Sequence, residues 1–131
     1  MTVLMKELRI LAVVNKDPEK VKKGLVKLSK NFKGTVYLLH LRNFDFYPAE
    51  VLLEFEKKFE ELKERGLRML NDIASEIEKV GFDVKVLGVQ YGIAGERMRR
   101  IVNELNPDLV VLEKRCELLS DVELEEPIVV M

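Results

Sequence analysis

Five short runs dominated by apolar residues recur along the chain, separated by stretches whose apolar residues fall every three or four positions. The runs are 8–14 (LRILAVV), 35–41 (TVYLLHL), 82–90 (FDVKVLGVQ), 108–112 (DLVVL) and 127–131 (PIVVM). Runs of this length and composition suit strands covered on both faces. Helical crossovers between parallel strands supply that cover, and chirality makes the crossovers right-handed. The expectation is therefore an α/β fold of three α/β/α layers, with a five-stranded, mostly parallel open sheet of Rossmann-like type. No internal repeat or low-complexity linker divides the chain, so residues 1–131 are expected to form a single domain.

The intervening segments carry their own punctuation. After the first run, Asp17 is suited to cap a helix and Pro18 to open it. Residues 19–31 then place Val21, Leu25 and Leu28 at helical spacing. The longest connection follows Pro48, with Leu52, Phe55, Phe59, Leu62, Met69, Ile73, Ile77 and Val80 in steps of three and four. Such a stripe is the buried face of an amphipathic helix. Read without interruption it would extend ~50 Å, at a rise of 1.5 Å per residue. That is long for so small a domain, and Gly66 is the expected site of a kink or break. Gly92 and Gly95 flank the start of a third helix over 96–105, with Met98, Ile101, Val102 and Leu105 inward, stopped by Asn106-Pro107.

Composition excludes several classes of function. Lys plus Arg (22) nearly cancels Asp plus Glu (23), so no global positive field draws in nucleic acid. No apolar run approaches the ~20 residues of a membrane helix. Lys6, Glu7 and Arg9 interrupt any signal-peptide core, and the single cysteine, Cys116, cannot form an internal disulfide. A reducing, cytoplasmic location is expected. Heavy Glu and Lys usage without Trp would suit a thermophile.

The runs also carry a family resemblance. Residues 10–15 (ILAVVN), 37–41 (YLLHL), 92–112 with Gly92, Met98, Val102 and DLVVL, and 127–130 (PIVV) fall in the order and spacing of the universal stress protein family. The resemblance covers nearly the whole chain and implies that family's fold. In the ATP-binding branch of the family, the fourth strand runs into a glycine, a second glycine three residues on, and Gly-Ser or Gly-Thr after nine more. Those glycines let backbone N–H groups approach phosphate oxygens. Here the corresponding positions are Glu113, Cys116, Glu126 and Pro127, and no glycine follows Leu112. Glu113 would set a carboxylate where phosphates should lie, and Asn15 replaces the family's acidic residue near base and ribose.

The resemblance thus implies a non-catalytic homodimer without ATP binding and without a cofactor, acting through protein contacts or as a stress or regulatory module. The alternative is a divergent ATP- or AMP-binding protein, with the nucleotide at the carboxyl edge of the sheet near Asn15, Leu41, Gly92, Leu112 and Arg115. A third reading is a regulatory module for a transporter or other partner, which binds through residues 48–66. The last run should lie at a sheet edge and invite pairing. Family members commonly dimerise there, so Pro127, Ile128, Val129, Val130 and Met131 are the expected interface.

Other candidates have plainer readings. Gly92 and Gly95 suit a small anion nest, but a strand-to-helix turn accounts for both. His40, the only histidine, ends an apolar strand and reads as a hydrogen-bonded structural residue, which leaves no His-based metal site. Cys116 follows Lys114 and Arg115, neighbours that favour a thiolate, yet no second cysteine can resolve an oxidised sulfur. Arg97, Arg99 and Arg100 with Lys114 and Arg115 read as a solvated face rather than an acidic-ligand patch. The KLSK stretch at 27–30 lies inside a helical pattern without the partner motif of a synthetase, and GxxxxGK[ST], GxSxG and HExxH are absent.

Overall fold

A computed structural model of the chain describes residues 7–15, 17–43, 49–92, 94–113 and 128–130. Strand β1 (Glu7–Val14) leads into helix α1 (Pro18–Leu28), and β2 (Lys33–Asn43) into α2 (Ala49–Lys79). Strand β3 (Asp83–Gly92), helix α3 (Ala94–Leu105), β4 (Leu109–Leu112) and β5 (Ile128–Val130) complete the order. The five strands form one sheet in the order β3-β2-β1-β4-β5, and every neighbouring pair is parallel.

Local chemistry starts α1 where the sequence indicates. Pro18 is its first residue, and Asp17 caps it by accepting the Lys20 N–H at 3.4 Å. The helix ends at Leu28, three residues before the expected end. Ser29 to Asn31 form a turn in which the Ser29 N–H reaches the Leu25 carbonyl at 3.0 Å.

Two apolar cores flank the sheet. Ile10, Ala12 and Val14 of β1 with Val36 and Leu38 of β2 meet Val21 and Leu25 of α1 and Leu70, Ile73 and Ile77 of α2. The intervening residues Leu11, Val13, Leu39 and Leu41, with Val110 and Leu112 of β4, meet Met98, Ile101 and Val102 of α3. Alternation of side chains across a strand thus feeds both cores at once. Each fully buried Leu or Val contributes about 1.5–3 kcal/mol by leaving water.

Two features depart from the expectations. The long helix does not break at Gly66, because α2 continues as one element through it. Gly66 is buried against the sheet, and a Cβ there would lie 2.6 Å from Val89 Cγ2 and 3.3 Å from His40 Cδ2. Its glycine serves close helix-to-sheet approach rather than a kink. Within the described part of the stripe, Ile73 and Ile77 are buried, whereas Val80 lies past the helix end and is 37% exposed.

The second departure is a bulge in β3. Leu38 pairs with Val86 but Leu39 pairs with Gly88, so Leu87 is an extra residue. Gly88 has φ +104, a backbone region that suits glycine. The insertion reverses which residues face α2. Val84 and Val86 belong to that core before the bulge, and Val89 belongs to it after, while Leu87 packs against the α3 side.

Candidate functional site

The strand order reverses direction between β1 and β4, since β2 and β3 are added on one side of β1 and β4 and β5 on the other. In open α/β sheets, ligands collect in the crevice outside the carboxyl ends of the strands at such a switch point. The residues that leave those two strands are Asn15, just past β1, and Glu113, just past β4.

The structure joins them. The Glu113 carboxylate accepts the Asn15 N–H through one oxygen and the Asp17 N–H through the other. Alternation explains its direction: Val110 and Leu112 face α3, whereas Val111 and therefore Glu113 face α1. Glu113 is only 4% exposed, and these two N–H groups supply hydrogen-bond partners to its buried carboxyl oxygens. Asp17 links the site to α1 by capping its first turn.

His40 stands on the other side of β1. It is 4% exposed, pairs in register with Val14, and its Nδ1 lies 2.9 Å from the Val14 carbonyl oxygen. The exit of β1 is thereby held by β2 through His40 and by β4 through Glu113. This agrees with a hydrogen-bonded structural histidine.

Four of the five residues expected near a nucleotide lie among the described residues. Asn15 is half-buried at the switch point. Leu41 and Leu112 are buried in the α3-side core. Gly92 is the last residue of β3, paired with Asn43 at the sheet's edge. Arg115 lies outside the described residues, as do Lys114, Cys116 and Glu126. Of the expected interface, Ile128, Val129 and Val130 form β5, which pairs with β4 and ends the strand order, whereas Pro127 and Met131 lie outside the described residues. Gly95 is the second residue of α3, and Ile93 between β3 and α3 lies outside the described residues.

The sequence drew attention to Glu113, but not to what its carboxylate holds. Its partners are 98 and 96 residues away, and no local pattern records so distant a pairing. Among the described residues, no cluster of three or more His, Cys, Asp or Glu side chains is arranged to hold a metal, and no helix is long and apolar enough to cross a membrane.

No family model and no curated protein matches the sequence. Solved structures do resemble the fold. The hypothetical protein PH0823 superposes with a TM-score of 0.72 at 20% identity, covering 94% of each chain. Universal stress protein UspA from Lactobacillus plantarum gives 0.64 at 14% identity, covering 98% of this chain and 99% of its own. A universal stress protein family protein from Arabidopsis thaliana, with AMP bound, gives 0.62 at 18% identity over 95% and 90% of the two chains. The architecture is therefore the parallel α/β fold of universal stress protein type, as the sequence resemblance implied.

Proposed function

We propose that this chain is a universal stress protein-like homodimer that neither binds ATP nor catalyses a reaction. It acts in the cytoplasm through protein contacts, as a stress or regulatory module. One observation carries the reading: the Glu113 carboxylate occupies the α1 side of the switch point and takes the Asn15 and Asp17 N–H groups. A triphosphate brought there would meet a buried negative charge instead of free donors. The absence of glycine after Leu112 points the same way, because a side chain at each position keeps backbone N–H groups from phosphate oxygens.

The protein surface that remains for function is then the outer edge of β5. A short, apolar edge strand is suited to pairing with a twin about a two-fold axis. Residues 127–131 are the proposed interface.

A second reading is favoured by the Arabidopsis thaliana protein with AMP bound, which shares the fold. A nucleotide with fewer phosphates would lie at the carboxyl edge near Asn15, Leu41, Gly92, Leu112 and Arg115. Calorimetric titration with ATP, ADP and AMP, on protein whose mass is fixed by light scattering, separates the two. Silence from a stable dimer at high ligand concentration is expected. A saturable heat with ATP would overturn the leading reading, and one with AMP alone would favour the second.

A further inference from the structure

Helix α1 and the turn after it carry charge of one sign. From Lys20 to Lys33 there are six lysines and no acidic residue, in a chain whose net charge is -1. Lys20, Lys23, Lys27 and Lys30 follow steps of three, four and three, which sets them in one row along the helix and the turn that continues it. All four are exposed. The row extends ~15 Å at a rise of 1.5 Å per residue. Lys22, by contrast, is paired with Glu19 at 2.9 Å and lies near Glu76 of α2. The other ion pairs among the described residues join Arg65 to Glu61, Arg68 to Glu64 and Lys79 to Glu76, and none reaches the row.

Phe32 adds an apolar element at the end of the row. It closes the turn after α1, with its N–H on the Leu28 carbonyl at 3.0 Å, and it is 37% exposed. Among the described residues, Val80 is the one other large apolar side chain so exposed. Protein interfaces combine such parts, an aromatic as anchor and charges that select the partner.

Resting on the reading that the chain acts through protein contacts, we propose that α1 docks an acidic protein segment. Its carboxylates lie along Lys20, Lys23, Lys27 and Lys30, and an apolar residue at one end covers Phe32. A segment of about ten helical or about five extended residues spans the row. A lipid surface fits less well, because Val21 and Leu25 are engaged in the core and leave α1 no apolar face for a bilayer. A nucleic acid also fits less well. The row offers no arginine fork to its phosphates, and a long polyanion would run past the row onto a chain of net charge -1. A second copy brings no free acidic row on the described part of α2, whose Glu61, Glu64 and Glu76 are paired within their own helix.

The probe is a fluorescein-labelled peptide of about ten residues, with Glu at helical three-four spacing and leucine at one end. Fluorescence anisotropy follows its titration with the full chain. Saturable binding is expected in the wild type, tighter than that of a deoxythymidine oligomer or of phosphatidylserine vesicles, and weakened by added salt. Lys20→Gln, Lys23→Gln, Lys27→Gln and Lys30→Gln together are expected to weaken it roughly tenfold. A control of the same net charge combines Arg65→Gln, Arg68→Gln, Lys79→Gln and Lys85→Gln, all at exposed positions off the row. It is expected to change the affinity less than about twofold. Phe32→Ala is expected to weaken binding roughly threefold, and that loss should vanish for a peptide with serine in place of leucine.

No saturable peptide binding, or an equal loss in the control, overturns the docking face. Tighter binding of the oligomer or of the vesicles overturns the protein partner and assigns the row to nucleic acid or to a lipid surface. An unchanged affinity in Phe32→Ala overturns the apolar contact. None of these results touches the nucleotide titration. ATP binding by the wild type overturns the proposed function, whereas a wild type silent to both nucleotide and peptide overturns the docking face alone.

Discussion

Asp108 and Glu113 stand one residue outside the two ends of β4, and each carboxylate accepts from the backbone of β1 or the turn that follows it. Asp108 accepts the Arg9 N–H at 2.9 Å while its own N–H donates to the Arg9 carbonyl at 2.7 Å. Glu113 closes the opposite end through Asn15 and Asp17. The β1–β4 pair at the switch point is therefore clamped at both ends by side chains, and the two clamps differ in burial. Asp108 is exposed, so water replaces its bond when it is lost; Glu113 is buried, and its loss strands two donors. Glu113→Ala is expected to cost about 2–4 kcal/mol and Asp108→Ala about 0.5–1.5 kcal/mol. Urea denaturation of both variants checks the order, and a larger loss at Asp108 would refute the burial argument.

Gly66 tests helix-to-sheet contact on the α2 side. Alanine improves helix propensity by about 1 kcal/mol over glycine. Against this, its Cβ would press to 2.6 Å on a methyl of Val89, a β-branched side chain with little freedom to turn aside. Overpacking costs about 1–3 kcal/mol and is expected to win. Gly66→Ala should lower the denaturation midpoint. The double variant Gly66→Ala with Val89→Ala should recover part of the loss by making room, which a pure helix-propensity effect would not produce.

Gly34 is constrained more severely. It has φ +146, pairs with Leu8, and a Cβ there would fall onto the Leu8 backbone carbonyl and amide. Backbone atoms in a paired strand cannot rotate away as a side chain does. Gly34→Ala is expected to cost about 3 kcal/mol or more, the sum of backbone strain and a disrupted β1–β2 pairing. Circular dichroism melting compares it with Gly81→Ala, where φ is +105 but no atom lies within 4 Å of a new Cβ. The Gly81 variant should lose only the strain, about 1–2 kcal/mol.

Met98 is fully buried and stands for the α3 side. With Ile101 and Val102 it meets Leu11, Val13, Leu39 and Leu41 of the sheet. Met98→Ala is expected to cost about 2–5 kcal/mol, because the cavity is walled by strands that cannot collapse into it. A cost below about 1 kcal/mol in urea denaturation would mean that α3 is not seated on the sheet as described.

The proposed dimer has its own test. Val130→Lys sets a charge at the end of the edge strand, a device that discourages edge-to-edge pairing. Light scattering should give half the wild-type mass, with an unchanged circular dichroism spectrum. A wild-type monomer would overturn the proposed dimer, and a dimer that survives the substitution intact would move the interface away from β5.

The elements themselves were legible in the sequence, because burial leaves a local period. Apolar runs marked all five strands, Asp17 and Pro18 marked the start of α1, and three-four spacing marked the inward faces of α1 and α3. Gly88 also carried a signal, for a glycine inside a strand commonly marks a bulge. Three matters were decided only in the folded chain: that Gly66 lets α2 pass close over Val89, that the β3 bulge turns Val89 toward α2, and that Glu113 reaches the start of α1. Each depends on atoms brought together from distant parts of the chain. A glycine that kinks a helix and one that admits a neighbour look alike until the neighbour is in place, and a carboxylate's partner is chosen by the geometry of the sheet.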